Sequence, residues 1–324
     1  MRKNKIYFVF DACQEGFSPF HMRFFDMLYF NCNLHQIDPQ QIIFVSSNLL
    51  DKTNLLNHCT REALVPFNYT IFSAFEYIVA DEMKCQIKEV IERIEKSFEH
   101  CHPKNFLSLS KRNRPHRDVF NFLLHANDLI ENNIVSHNVL NISDKQSWIN
   151  QNALTSFDIN DVDIWQQSLP LIADKKDFDS ETWSWEPPSQ LYDSTCFSVV
   201  NETFANSFDN TSLFYSEKTF RCISHLQPFI VLGQPDCNAN LSMLGYKLYD
   251  DWFDYSFDSI ENEKQRINDL VKQLLSINKQ LNRMNKKQKL DWRFTNLSVL
   301  EHNFQHLKSN TLNRKIFKEF SKRF

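Results

Sequence analysis

Two rhythms of apolar residues alternate along the chain. Short apolar runs read as buried strands: Lys5–Phe10 (KIYFVF), Gln41–Ser46 (QIIFVS), Phe67–Phe72, Asn105–Ser110 (NFLSLS), Ile134–His137, Phe197–Asn201 and Phe229–Gly233. Between them, apolar positions recur at three- and four-residue steps and predict helices. The clearest is Glu82–Phe98, with Met83, Ile87, Val90, Ile91, Ile94 and Phe98 on one face; others are His21–Asn31, Asp118–Leu129, Ser259–Met284 and one opening near Glu217. Leu241–Leu244 reads as a short helix and Lys247–Tyr249 as a short strand.

Strand, helix, strand in succession is the grammar of a parallel sheet. It restarts at Lys104, after His102-Pro103 closes the first half. The predicted fold class is therefore α/β with two Rossmann-like domains, residues 1–103 and 104–284. Helices within 285–324 are candidates to pack back on the first domain.

Charge is distributed unevenly. Residues 151–210 carry eleven acidic side chains against Lys175 and Lys176, a net of −9, and read as acidic loops with short elements. From Arg283 to Phe324, eleven basic side chains against Asp291, Glu301 and Glu319 leave +8. Trp292, Phe294, Phe304, Phe317, Phe320 and Phe324 interleave with those cations. That pattern suits a polyanion such as DNA, and equally an amphipathic helix that is basic outside and aromatic inside.

Composition excludes several classes. Gly16, Gly233 and Gly245 are the only glycines, so neither a Walker loop nor a G-x-G-x-x-G fingerprint can be built. A bound phosphate would have to be met by Arg, Lys, hydroxyls and helix N-termini. The eight cysteines contain no C-x-x-C pair and read as free thiols rather than zinc ligands or disulfides. The run Ile6–Phe10 is too short to span a bilayer, and no secretory segment is legible near Met1, so the expectation is a cytoplasmic protein without membrane contact.

Two constellations carry candidate chemistry. The first is Ser216-Glu217-Lys218-Thr219 ahead of the apolar run Phe229–Gly233. A carboxylate at a helix start can accept hydrogen bonds from a ribose diol, while Lys218 and the helix amides can meet a diphosphate. A glutamate there also suits helix-start electrostatics with no ligand at all. The second is Lys111-Arg112-Asn113-Arg114-Pro115-His116-Arg117, between a strand and a helix, where open α/β sheets bind ligands. Arginine can clamp a phosphate by two parallel bonds. A solvated surface loop, or pairing with the acidic stretch, accounts for the same residues.

The succession FLSLSKRNRPHR, SEKTFRCISHLQPFIVLG and LGYKLYDDWFDYSFDSIENEKQRI resembles a family of glycosyltransferase-like proteins common in tailed phages and bacteria. More distantly, it is similar to the donor site of fucosyltransferase-like enzymes with the GT-B fold. The resemblance covers about residues 105–270, and reaches the N-terminal half loosely through KIYFVFDACQEGFSPFH. It implies two domains facing across a cleft and sugar transfer from a nucleotide-sugar to a hydroxyl. Glu217 would hold the donor ribose. Lys218 and Thr219 would sit by the diphosphate, Arg112, Arg114 and Arg117 would neutralise the leaving group, and Ser216 and His116 would complete the donor-binding set. Where the family often has His-Pro, this chain has His225-Leu226-Gln227-Pro228.

A leaving nucleoside diphosphate needs either a metal or fixed cations. Asp161-Val162-Asp163 spells a D-x-D, but the arginine cluster is the preferred stabiliser, so neither cofactor nor metal is expected. The acceptor hydroxyl needs a base. Asp11 and Glu15, just beyond the first strand, are favoured over His21. A hydroxymethylated base in phage DNA is one candidate acceptor. A surface glycan or lipid-linked sugar is another, and a non-catalytic nucleotide-binding protein of the same fold is the reading from a different class.

Overall fold

The computed structural model describes residues 7–12, 23–173, 188–206 and 213–309. The fold is α/β with two parallel sheets, each within its own compact unit.

The first unit contains the chain up to Glu82, joined by residues 213–217. Strands β1 (Phe8–Ala12), β2 (Ile42–Ser46) and β3 (Asn68–Ile71) lie in the order β1-β2-β3, all parallel. Helices α1 (Phe24–His35), α2 (Asp51–Arg61) and α3 (Ala74–Glu82) accompany them. The core is aromatic. Phe25 meets Phe44 edge-on at 5.4 Å, and Tyr29 stacks on Phe67 at 4.2 Å while its hydroxyl donates to the Val65 carbonyl at 2.8 Å. Each such ring pair adds roughly 0.5–1.5 kcal/mol beyond burial. Left-handed backbone at Arg23 (φ 49°) and Gln36 (φ 53°) brackets α1, which runs four residues beyond the expected Asn31. The sequence pattern gave no sign of α2, because Leu55 and Cys59 alone carry its buried face.

The second unit comprises residues 83–205 and 218–307. Strands β4 (Lys104–Leu109), β5 (Ile134–Ser136), β6 (Thr195–Asn201) and β7 (Phe229–Leu232) form a parallel sheet in the order β5-β4-β6-β7. All seven residues of β6 are buried, as expected of a strand covered on both faces. The helices are α4 (Ile87–His100), α5 (Pro115–Ala126), α6 (Lys145–Gln151), α7 (Ile159–Ser168), α8 (Ser189–Asp193), α9 (Glu217–Ser224), α10 (Glu263–Leu281), α11 (Lys286–Arg293) and α12 (Leu297–Ser309).

Several expectations are revised. The helix expected from Glu82 to Phe98 starts instead at Ile87, as α4, because a capping box of Gln86 and Glu89 begins it there; Glu82 is the last residue of α3. The division falls at Glu82 rather than after Pro103, since α4 packs on α8 and α11. For the same reason residues 285–307 belong to the second unit and do not join the first, whereas Lys308 and Ser309 group with the first. Lys247–Tyr249 is not a strand. Within the acidic stretch, Asp158 and Asp161 cap α7 reciprocally and Asp163 pairs with Lys145, so the D-x-D carboxylates serve local structure.

The basic tail also turns inward where it is described. Fully buried Arg293 donates to the carbonyls of Tyr192 (2.6 Å), Thr195 (2.5 Å) and His225 (2.8 Å), and burial lowers its pKa to about 10. Lys289 donates to the Pro103 carbonyl and to Asn105, and Trp292 packs on Phe197 at 5.6 Å. Phe317, Phe320 and Phe324 lie outside the described residues.

Candidate functional site

In the second sheet the chain leaves β4 for β5 on one side, then returns to β6 on the other. The loops after β4 and β6 therefore run apart at the carboxyl edge, which is where open parallel sheets offer a binding crevice. The loop after β4 is Ser110–Arg114, and the loop after β6 begins at Glu202. The 111–117 constellation reaches this edge, as does Thr219 of the other, and Glu202 joins them.

Arg117, in the first turn of α5, is buried. Its guanidinium donates to the carbonyls of Asn201 (3.0 Å), Glu202 (2.9 Å) and Arg112 (3.2 Å). The neighbouring His116 Nε2–H donates to the same Glu202 carbonyl at 3.0 Å. Burial, then the nearby Arg117 and Arg114, push the His116 pKa down to about 3, so the ring is neutral. The Glu202 side chain is wholly buried. One carboxylate oxygen accepts from the Thr219 hydroxyl at 2.6 Å and the other from the Thr203 amide at 3.1 Å. Thr219 sits in the first turn of α9. The positive N-terminal ends of α5 and α9 are thus fastened to Glu202, the residue that follows β6.

Nearer the surface, Arg112 is exposed and Arg114 half-buried, the latter 5.8 Å from the Phe204 ring. Asn201 is 1% exposed, and its Oδ1 meets no hydrogen-bond partner among the described residues. Arg266 holds the next stretch of loop through the carbonyls of Ala205, Gly233 and Ile260.

Of the expected donor residues, Arg112 is exposed and Arg114 and Lys218 are half-buried. His116, Arg117 and Thr219 hold the framework. Ser216 and Glu217 group with the first unit, where residues 213–216 run beside the end of β2: Asn48 Oδ1 accepts from the Leu213 amide at 2.9 Å, and Phe214 packs edge-on against Phe75 at 5.8 Å. Asp11, paired in register with Val45, is exposed near the end of β1. Glu15 and His21 lie outside the described residues.

His225, in the resemblance block, belongs to the amino edge of the sheet. It stacks on Tyr192 at 4.4 Å, and Arg93 bridges it to Asp193. Gln227 is spent on Ser198 and Thr195. Sequence reasoning missed Glu202 because an acid just beyond an apolar strand resembles any solvated loop residue. The signal available was its place, one residue past a run buried on both faces. Among the described residues no three His, Cys, Asp or Glu side chains gather as metal ligands, and no helix is long and apolar enough to cross a membrane. Compared with family models, with curated proteins and with solved structures, the chain matches none.

Proposed function

We propose that the protein is a glycosyltransferase that moves a sugar from a nucleotide-sugar donor to a hydroxyl acceptor without a metal ion. One observation supports this above others: the starts of α5 and α9, bearing Arg112, Arg114 and Lys218, are tied to the carboxyl end of β6 through Glu202. Two helix N-termini and three cations suit a diphosphate whose charge grows as the glycosidic bond breaks. Fixed cations of this kind need no reorganisation during the reaction. Two parallel α/β units are also the components of a GT-B enzyme.

On this reading Asp11 is the described residue best suited to take the acceptor proton. The inward turn of Lys289 and Arg293 removes two cations from the set that suggested a DNA acceptor, so the proposal stops at a hydroxyl.

The test is a thermal-shift screen of nucleotide sugars and nucleoside diphosphates, followed by donor turnover in the presence of EDTA. The reading expects a raised melting temperature for at least one nucleotide, lost in Arg112→Ala/Arg114→Ala, and turnover that survives the chelator. A panel with no shift would sink it. Binding without turnover would instead identify a non-catalytic nucleotide-binding protein.

A further inference from the structure

We infer that the buried pair Asp118 and His137 positions the arginine loop: it sets where Arg112 and Arg114 stand, and so how tightly a diphosphate is held. This assignment rests on the nucleotide-sugar reading and adds two positioning residues that stand behind the cations.

The loop Ser110–Arg114 is fastened on two sides. On the β6 side, Arg117 donates to the Arg112 carbonyl at 3.2 Å. On the β5 side, the Ser110 amide donates to Ser136 Oγ at 3.0 Å, and Asn113 Nδ2 donates to the Val139 carbonyl at 2.7 Å. These two acceptors bracket His137, the residue that follows β5. Ser136 and His137 are buried and Val139 is exposed, with the His137 side chain the deepest of the three. Whatever fixes His137 therefore fixes the β5 side of the arginine loop.

His137 Nε2 lies 3.1 Å from Asp118 Oδ1, and the ring stacks on Trp165 at 6.0 Å. Among the described residues neither ring nitrogen has a hydrogen-bond partner, so Asp118 is the polar group there that answers it. Trp165 is held in turn: its Nε1 donates to Asn121 Oδ1 at 2.8 Å, and Phe122 meets it edge-on at 5.5 Å. Asp118, Asn121 and Phe122 all belong to α5, the helix into which the arginine loop runs. The Asp118 amide also donates to the Arg114 carbonyl at 2.9 Å. One helix thus grips both the end of the loop and the residue that anchors its β5 side. A carboxylate and an imidazole are a costly way to fill an interior. An apolar pair would pack as well but would fix no direction. Cations meant for a diphosphate need such fixing, to within about 0.5 Å, from residues that do not touch the ligand.

Calorimetric titration of the full chain with inorganic pyrophosphate and the common nucleoside diphosphates tests this, with urea melts alongside. Asp118→Ala and His137→Phe, the latter keeping a ring against Trp165, should each weaken pyrophosphate binding about ten-fold. Asp118→Asn keeps an oxygen in place but not its charge. It should fall between, at about three-fold, since a charged partner is worth roughly twice a neutral one. His225→Gln perturbs the same unit at the amino edge of the sheet and should bind as wild type does. Wild-type affinity in folded Asp118→Ala and His137→Phe overturns the positioning role and leaves the nucleotide reading intact. An equal loss in His225→Gln also overturns it, because general loosening would then be the cause. Should the two harsher variants not fold, an Asp118→Asn chain that binds as wild type does overturns the role by itself. A wild-type chain that binds neither pyrophosphate nor any nucleoside diphosphate overturns both.

Discussion

The Thr219 hydroxyl donates a 2.6 Å hydrogen bond to the Glu202 carboxylate, joining the start of α9 to the residue that follows β6. A carboxylate that is wholly buried must be compensated, and here the partners include a hydroxyl and a backbone amide. Thr219→Val keeps the shape and removes the donor. It should cost about 1–3 kcal/mol in urea unfolding, whereas Thr219→Ser should cost under about 1 kcal/mol. Equal losses in the two variants would show that the methyl group matters and the bond does not.

Arg112 and Arg117 are five residues apart in one motif and do different work. Arg117 spends its guanidinium on the carbonyls of Asn201, Glu202 and Arg112, so Arg117→Ala strands several buried acceptors. A loss of about 3 kcal/mol or more is expected, with nucleotide binding falling only through unfolding. Exposed Arg112 should tolerate alanine within about 0.5 kcal/mol, while nucleoside diphosphate affinity drops. Paired urea melts and titrations check this. The division fails if Arg117→Ala is as stable as wild type.

Acidification should loosen the second unit. His116 and His225 are each held near a pKa of about 3 by burial first, then by neighbouring arginines: Arg117 and Arg114 for His116, and Arg93, Arg293 and Arg221 for His225. In the unfolded chain both rings titrate near 6.5. Between those values the unfolded state binds protons that the folded state refuses, so stability is complete above the higher value and falls as pH drops. Each ring contributes a slope of roughly 1.4 kcal/mol per pH unit within that window. Urea midpoints from pH 7.5 to pH 5 should decline in wild type and flatten in His116→Gln/His225→Gln. A variant with the wild-type slope would assign the acid sensitivity elsewhere.

The strands were legible because each is a short apolar run, and β2, β3, β4, β6 and β7 fall within a residue or two of their expected positions. Helix ends were not, because caps and left-handed residues set them; Arg23, Gln36 and the Gln86–Glu89 box leave little trace in hydrophobic periodicity. The site was half legible. The sequence marked the segments 111–117 and 216–219, but charge alone could not tell that Arg117 faces inward toward carbonyls while Arg112 faces out. That difference depends on where α5 begins: with Pro115 at its first turn, His116 and Arg117 are drawn against β6. Glu202 acquires its role only when three segments distant in sequence meet, and no local pattern announces that.

Gly245 offers a test of packing between distant segments of the second unit. It ends the 3-10 helix Ala239–Leu244 at φ 90°, a conformation that costs an L-residue about 1–2 kcal/mol. A Cβ there would also lie 2.6 Å from Cε1 of His306, whose Nε2–H donates to the Leu244 carbonyl at 2.6 Å. Gly245→Ala therefore meets strain and a clash together and should cost about 2 kcal/mol or more. His306→Ala removes the obstacle and the hydrogen bond, at about 1 kcal/mol. The double variant should be less destabilised than the sum by about 1 kcal/mol, because the clash is counted once in the single variant and disappears in the pair. Additive losses in a urea-melt cycle would mean that the ring swings aside and that backbone conformation alone requires glycine at this position.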